Sequence, residues 1–209
     1  PNSKKKQAKQ FIDFGGWTLL GKTLERIKNS LFDDPIISTN LKYLKEIKKH
    51  LKKHKIAKYK IILEPAKKNT GPAILSTALI KEVPEKQPLI FLSADHLIEK
   101  VGNFNNGIKK NIKHLTDKNI FIFGIKPNAP SDQFGYFVTK KNKNSVNKVV
   151  KFIEKPKLSK AKRIIKNGGY WNSGMFFARK DSVIYNFRKY QKNIYKNSLL
   201  ALNKSKFKN

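Results

Sequence analysis

The sequence predicts an α/β fold whose sheet is largely parallel at first and mixed later, and three observations predict it. Apolar residues recur at helical spacing in several early stretches. Short runs that are β-branched or wholly apolar alternate with those stretches through about residue 125, the pattern of strands joined by helical crossovers. Beyond that point strands follow one another with less helix between them, which makes the later sheet mixed.

Leu20, Leu24, Ile27 and Leu31 form the first helical face, and Leu41, Leu44, Ile47 and Leu51 the second, with lysines on its opposite side. Pro35–Thr39 between them reads as a strand. Lys60–Leu63 is a second strand, and Pro72–Lys81 a helix begun by Thr70 or Gly71 with proline in its first turn. Leu89–Leu92 is apolar throughout, as a strand buried on both faces is. Val101, Phe104, Ile108, Ile112 and Leu115 make a further helical stripe. Strands are expected at Ile120–Ile125, Gly135–Thr139, Val146–Ile153 and Met175–Ala178, with loops and short helices between them. Nothing divides the chain: no repeat, no low-complexity run and no long linker, so residues 1–209 are expected to form one domain.

Composition narrows the function classes. With no cysteine, disulfides and thiolate metal sites are excluded. An aromatic content of 11% argues against disorder. No apolar run approaches the roughly 20 residues that span a bilayer, and the first ten residues lack the apolar stretch of a secretory signal. No membrane association and a soluble, cytoplasmic protein are the expectation. The net charge of +32 invites a nucleic-acid reading. Against it, only four of the 46 basic residues are arginine (Arg26, Arg163, Arg179, Arg188), and arginine is the residue favoured for base-edge and bidentate phosphate contacts. The chain is also rich in Asn and Ile, whose codons, like those of lysine, are AT-rich. Genome bias accounts for the charge, and no specific nucleic-acid partner is expected.

Ligands of α/β sheets gather where loops leave the carboxyl ends of strands. Glu64-Pro65-Ala66-Lys67-Lys68-Asn69-Thr70-Gly71-Pro72 leaves the second strand and opens a helix whose amides can face an anion. Ser93-Ala94-Asp95-His96 leaves the third. Asp95 is the only carboxylate in that turn and suits Mg²⁺, which takes one or two carboxylates plus substrate phosphates. His96 is read as a structural hydrogen-bonder. Gly135 either lets a ligand approach the main chain or serves the backbone alone. Glu154-Lys155-Pro156 ends a strand. By itself it could be an ion pair with proline stopping the ladder, but paired with Trp171-Asn172-Ser173-Gly174 it suits a sugar phosphate. The carboxylate accepts from hydroxyls, the ammonium neutralises phosphate, and the amide can do either.

These segments, in this order, resemble the mannose-1-phosphate guanylyltransferases of the sugar nucleotidyltransferase superfamily. Ala8-Lys9-Gln10-Phe11 is similar to the family's Pro-Lys-Gln-Phe, and Phe14-Gly15-Gly16 through Arg26 continues it. Glu64–Pro72 resembles Glu-Pro-x-x-Arg-Asn-Thr-Ala-Pro-Ala. Ser93–His96, Phe134–Phe137, Phe152–Pro156 and Trp171–Phe176 follow at family-like intervals. The resemblance implies a Rossmann-like three-layer nucleotidyltransferase fold, with a mixed, mostly parallel central sheet. It also implies Mg²⁺-assisted transfer of GMP from GTP to mannose 1-phosphate. By matched position, Lys9 and Asp95 would be catalytic, Lys9 at the triphosphate and Asp95 holding the metal. Glu64, Lys68, Asn69 and Thr70 would bind the nucleotide. Gly135, Tyr136, Glu154 and Asn172 would face the mannose, and Lys155 its phosphate.

The sequence departs from the family at Ala8, usually proline, at Gly71, usually alanine, and at Lys68, which keeps the charge of an arginine without its planar fork. Only Pro1-Asn2-Ser3-Lys4 could be the tail of the family's glycine-rich first loop, and no Asp-x-Gly-Ser-Trp region precedes Asn209. An interior piece of a longer gene product, with little turnover, is therefore expected. Two alternatives stand beside this reading: another sugar-1-phosphate nucleotidyltransferase, and, from a different class, a basic nucleic-acid-binding protein.

Overall fold

Thr18 accepts a hydrogen bond from the Gly21 amide at 3.0 Å and so caps the first helix, α1 (Leu19–Ile27). The computed structural model describes residues 7–66, 69–140 and 146–205. The apolar stripe expected to run on to Leu31 stops at Ile27, and Asn29 is the cause. Its side chain donates to the Arg26 carbonyl at 3.0 Å and accepts from the Leu31 amide at 3.0 Å, local bonds that compete with the helical ladder. Leu31 then packs in a different cluster, around Ile108 and Phe177.

The next strands, β1 (Ile36–Asn40) and β2 (Lys60–Glu64), pair in parallel, with the helix α2 (Leu44–Lys53) between them in sequence. Ile37 and Ile61 pack against a core of Phe11, Leu20, Leu24, Ile47 and Leu51. Since side chains alternate along a strand, Ser38, Asn40 and Glu64 face the other way. That alternation puts three polar residues on one side of the two-stranded sheet. The lysines of α2 (45, 48, 49, 52 and 53) are exposed, as its amphipathic pattern requires.

Then come α3 (Thr70–Ala78), β3 (Pro88–Phe91), α4 (Val101–Asn111) and β4 (Phe121–Ile125). They are followed by β5 (Tyr136–Lys140), β6 (Lys148–Ile153) and α5 (Leu158–Lys166). The chain closes with β7 (Tyr170–Arg179), α6 (Lys180–Tyr190) and α7 (Lys192–Asn203). The α/β class is as expected, but the largely parallel sheet needs correcting. In the five-stranded sheet every pairing is antiparallel: β7 pairs with β3 and β4, and β5 pairs with β7 and β6. The crossover through α4 leaves β3 and β4 running the same way, and β7 then inserts between them in the opposite direction.

β7 also begins earlier than expected. The strand expected at Met175–Ala178 runs from Tyr170, so Trp171–Gly174 lies inside it. Gly124 pairs with Asn172 while Ile122 pairs with Phe176, so β7 carries a bulge at residues 173–175. Gly174 has φ +72°, a left-handed conformation that favours glycine. Side chains supply bonds within the bulge: Asn172 Oδ1 accepts from the Gly174 amide at 3.2 Å, and Ser173 Oγ accepts from the Met175 amide at 3.2 Å.

The C-terminal helices hold α3 in place. Val183 of α6 packs on Ala78 and Ala178, and α7 also contacts α3. Lys180, buried at the start of α6, donates from Nζ to the carbonyls of Ile80 at 2.7 Å and Val83 at 2.6 Å, just past the end of α3. Among the described residues, no helix is long and apolar enough to cross a membrane.

Candidate active site

Glu64 ends β2 on the polar face of the two-stranded sheet, and two residues of β1 hold it. Ser38 Oγ donates to Glu64 Oε1, and Asn40 Nδ2 donates to the Glu64 carbonyl at 3.0 Å. The chain then leaves the sheet. Lys68 lies outside the described residues. Asn69 precedes α3 with φ 66° and ψ −176°, a region populated almost only by glycine. Thr70 begins the helix, so the first amides of α3 lie beside these polar groups.

A cavity of about 470 Å³ opens between this segment and the loop after β3. Glu64, Asn69, Thr70, Ser93 and Asp95 line it, with Gln10 on a third side. Lys9 is exposed and opens the short 3-10 turn Lys9–Phe11; its neighbour Gln10 reaches the cavity wall. The Asp95 carboxylate is about half exposed, and its Oδ1 lies 3.9 Å from His96 Nε2. Among the described residues no group of three or more His, Cys, Asp or Glu could hold a metal by itself. One carboxylate beside a roomy polar cavity does fit Mg²⁺, which keeps several waters and shares its coordination with substrate phosphates.

The second group of expected residues meets near the start of β7. The Asn172 amide donates to the Gly135 carbonyl at 2.7 Å. Gly135 in turn lies so close to Glu154 that a Cβ there would approach Glu154 Oε2 to 2.8 Å and the Phe152 ring to 3.0 Å. Gly135, Glu154 and Asn172 therefore share one neighbourhood. Lys155 follows, exposed, in a left-handed conformation with φ 41°. Tyr136 differs from these. Its side chain is fully buried among Ala161, Ile164 and Trp171, and its hydroxyl donates to the Ser131 carbonyl at 3.0 Å and accepts from the Ser131 amide at 2.9 Å. The ring braces the loop before Gly135.

The two neighbourhoods touch through the β7 bulge. A Cβ on Gly174 would lie 4.0 Å from Ser93 Oγ, and Ser93 lines the cavity with Asp95. Asn172 is two residues from that contact and Asp95 two residues from the other side of it. Gly174 and Ser93 thus place the Asn172 and Asp95 segments near one another.

Residues 3–207 match the family described as Nucleotidyl transferase. The chain belongs to that family. It is 31% identical over 212 residues to the alginate biosynthesis protein AlgA of Pseudomonas aeruginosa, an alignment covering 98% of this chain and 44% of that protein. It is 33% identical over 211 residues to the mannose-1-phosphate guanylyltransferase of Salmonella montevideo, covering 97% of this chain and 44% of that protein. Among solved structures it resembles the mannose-6-phosphate isomerase of Helicobacter pylori, with a TM-score of 0.82 and 30% identity over 94% of this chain and 76% of that one. The chain thus spans less than half the length of the curated relatives it matches.

Several residues of the cavity and its surroundings carry little signal of their own in the sequence. Gln10, Ala73 and Leu92 line it, and Ser38 and Asn40 hold Glu64 from the neighbouring strand. One signal was available for the last two: Ser38 and Asn40 stand at alternate positions of a strand, on the face opposite Ile37. The pairing partner that gives them meaning is set only by the β1–β2 register.

Proposed function

We propose that this chain carries the active site of a mannose-1-phosphate guanylyltransferase, transferring GMP from GTP to mannose 1-phosphate with release of pyrophosphate. One observation carries the reading: Gly174, beside Asn172, lies close to Ser93 on the wall of the Glu64–Asp95 cavity, a Cβ there standing 4.0 Å from Ser93 Oγ. A nucleotide in the cavity and a sugar phosphate at Glu154 and Asn172 would have their phosphates at that junction. The names of the relatives support the choice of substrates.

In this reading Glu64, Asn69 and Thr70 take the guanine nucleotide, and Lys9 and Lys68 counter the charge of its triphosphate. Glu154 accepts hydrogen bonds from the mannose hydroxyls. Asn172 keeps its Oδ1 on the Gly174 amide and offers Nδ2 as a donor, while Lys155 neutralises the sugar phosphate. A phosphate oxygen of mannose 1-phosphate attacks the α-phosphorus of GTP. The new P–O bond forms as the α–β bridging bond breaks, and pyrophosphate leaves with the electron pair. Asp95 would hold Mg²⁺, which when bound supplies neutralisation of the triphosphate. The chain's own work is positioning and electrostatics, which dominate such reactions. A cytoplasmic setting belongs to the same proposal.

Calorimetry of the 209-residue chain with GTP, TTP and UTP in the presence of Mg²⁺ tests it. The expected result is binding of GTP at least tenfold tighter than of the other two, lost on adding EDTA and weakened in Asp95→Asn (a tenfold change is about 1.4 kcal/mol). A preference for TTP or UTP would move the chain to another sugar nucleotidyltransferase. Absence of any triphosphate binding, together with a nucleic-acid complex that survives physiological salt, would overturn the reading altogether.

A further inference from the structure

We propose that Ser38 is a positioning residue for base selection: its hydroxyl orients the Glu64 carboxylate so that it meets the donor edge of the nucleotide base. The inference rests on the nucleotide reading of the cavity and deepens it. Ser38 and Glu64 stand on different strands, on the same face, two positions apart in the β1–β2 register, where Ser38 pairs with Ile62 and Asn40 with Glu64. From there Ser38 Oγ reaches Glu64 Oε1, while Asn40 Nδ2 holds the backbone carbonyl of the same glutamate. Main chain and carboxylate of Glu64 are thus each tied to β1. A free glutamate would sample several rotamers, and fixing it before a ligand arrives lowers the entropy lost on binding.

What the carboxylate can recognise follows from its chemistry. An ionised carboxylate only accepts hydrogen bonds, and Ser38 uses one of its roughly four acceptor positions. It repels the phosphates, so it belongs at the end of a nucleotide that presents donors. Guanine presents two adjacent donors, N1–H and the exocyclic 2-amino group, which one oriented carboxylate can accept together. The uracil and thymine rings present one N–H, flanked by carbonyl oxygens. A carboxylate held in a single plane selects for the paired donors, whereas a mobile one discriminates less.

Ser38→Ala, Ser38→Thr and the unaltered chain, compared by calorimetry with GTP, ITP and 2′-deoxy-GTP in Mg²⁺, test this. ITP lacks only the 2-amino group. The unaltered chain is expected to prefer GTP over ITP by roughly tenfold, and Ser38→Ala to reduce that ratio by roughly threefold to tenfold, the worth of one hydrogen bond. Ser38→Thr is expected to restore it, which a purely structural loss would not. Equal weakening of GTP and ITP in Ser38→Ala, or an effect confined to 2′-deoxy-GTP, overturns the proposal and leaves the nucleotide site standing. Absence of GTP binding by the unaltered chain sinks the nucleotide reading and this one with it. Ser38→Cys, similar in size with only a weak donor, gives the same readout should the alanine variant not fold.

Discussion

Glu154 Oε2 stands 2.8 Å from the point a Cβ on Gly135 would occupy, so the carboxylate lies where any other residue would put a side chain. The absence of a side chain at Gly135 is what lets the ends of β5 and β6 bring Glu154 beside the Gly135–Asn172 hydrogen bond. Glycine here serves close approach, since its backbone is not left-handed.

Gly135→Ala is therefore expected to push Glu154 and the Phe152 ring aside. Overpacking of this kind costs about 1–3 kcal/mol of stability. If Glu154 receives the sugar, the apparent KM for mannose 1-phosphate rises roughly tenfold or more while GTP affinity stays within about twofold, because the nucleotide end is untouched. Steady-state kinetics of the full-length protein and GTP titration separate the two effects. An unchanged KM would remove Glu154 from the sugar site.

Asn69 holds a backbone conformation that costs roughly 1–3 kcal/mol in any residue other than glycine. Asn69→Gly relieves it, less the roughly 0.5–1 kcal/mol that glycine loses in chain entropy. The Tm should rise by a few degrees while GTP binding weakens, since a polar cavity-lining group has gone. Differential scanning calorimetry with and without GTP reads both; a lower Tm would show that the strain is not there to be released.

Lys180 caps the stretch after α3 with two carbonyl hydrogen bonds from a buried ammonium. Burial lowers its pKa, opposed by Glu85 and Glu82. Lys180→Met keeps most of the apolar volume and removes the donors, at an expected cost of about 2–3 kcal/mol. That corresponds to a Tm lower by roughly 4–12 °C for a chain of this size. Thermal denaturation followed by circular dichroism gives the number, and a change below 1 °C would show the cap to be dispensable.

His54 supplies a pH dependence. Burial holds its imidazole below the ordinary value of about 6.5; Glu25, 3.5 Å away, opposes the shift, and His50, Lys53 and Lys22 add to it. The folded state thus favours neutral His54, and the unfolded chain takes up its proton first as pH falls. Stability from this group is complete above about pH 6.5, declines as pH drops through that value, and levels off below the folded pKa. Between about pH 7.5 and pH 5.5 the Tm should fall, and fall less in His54→Gln; equal slopes in the two proteins would assign the loss to other groups.

Much of this architecture was legible beforehand. Leu20, Leu24, Ile47 and Leu51 pack in one core because helical spacing places them on facing stripes, and helical spacing is a local property. Glu64 and Asp95 were legible as strand-end residues for the same reason, and the cavity brings them together. The end of α1 was not, because Asn29 competes through side-chain bonds that apolar periodicity does not register. Nor was the true length of β7: Asn172, Ser173 and Gly174 are turn formers locally, and only pairing with β4 keeps them in a strand as a bulge.

The order of strands and helices, the exposed lysine faces and the residue types suited to a sugar nucleotide were decided by the amino-acid sequence itself, through periodicity and side-chain chemistry. Tertiary structure alone decided that β7 runs antiparallel between β3 and β4, that Ser38 meets Glu64, and that Gly174 lies against Ser93. Each of those outcomes depends on register between segments distant in the chain. A strand's own residues specify its two faces, but its neighbours and its direction come from the competition among all the edges available to it.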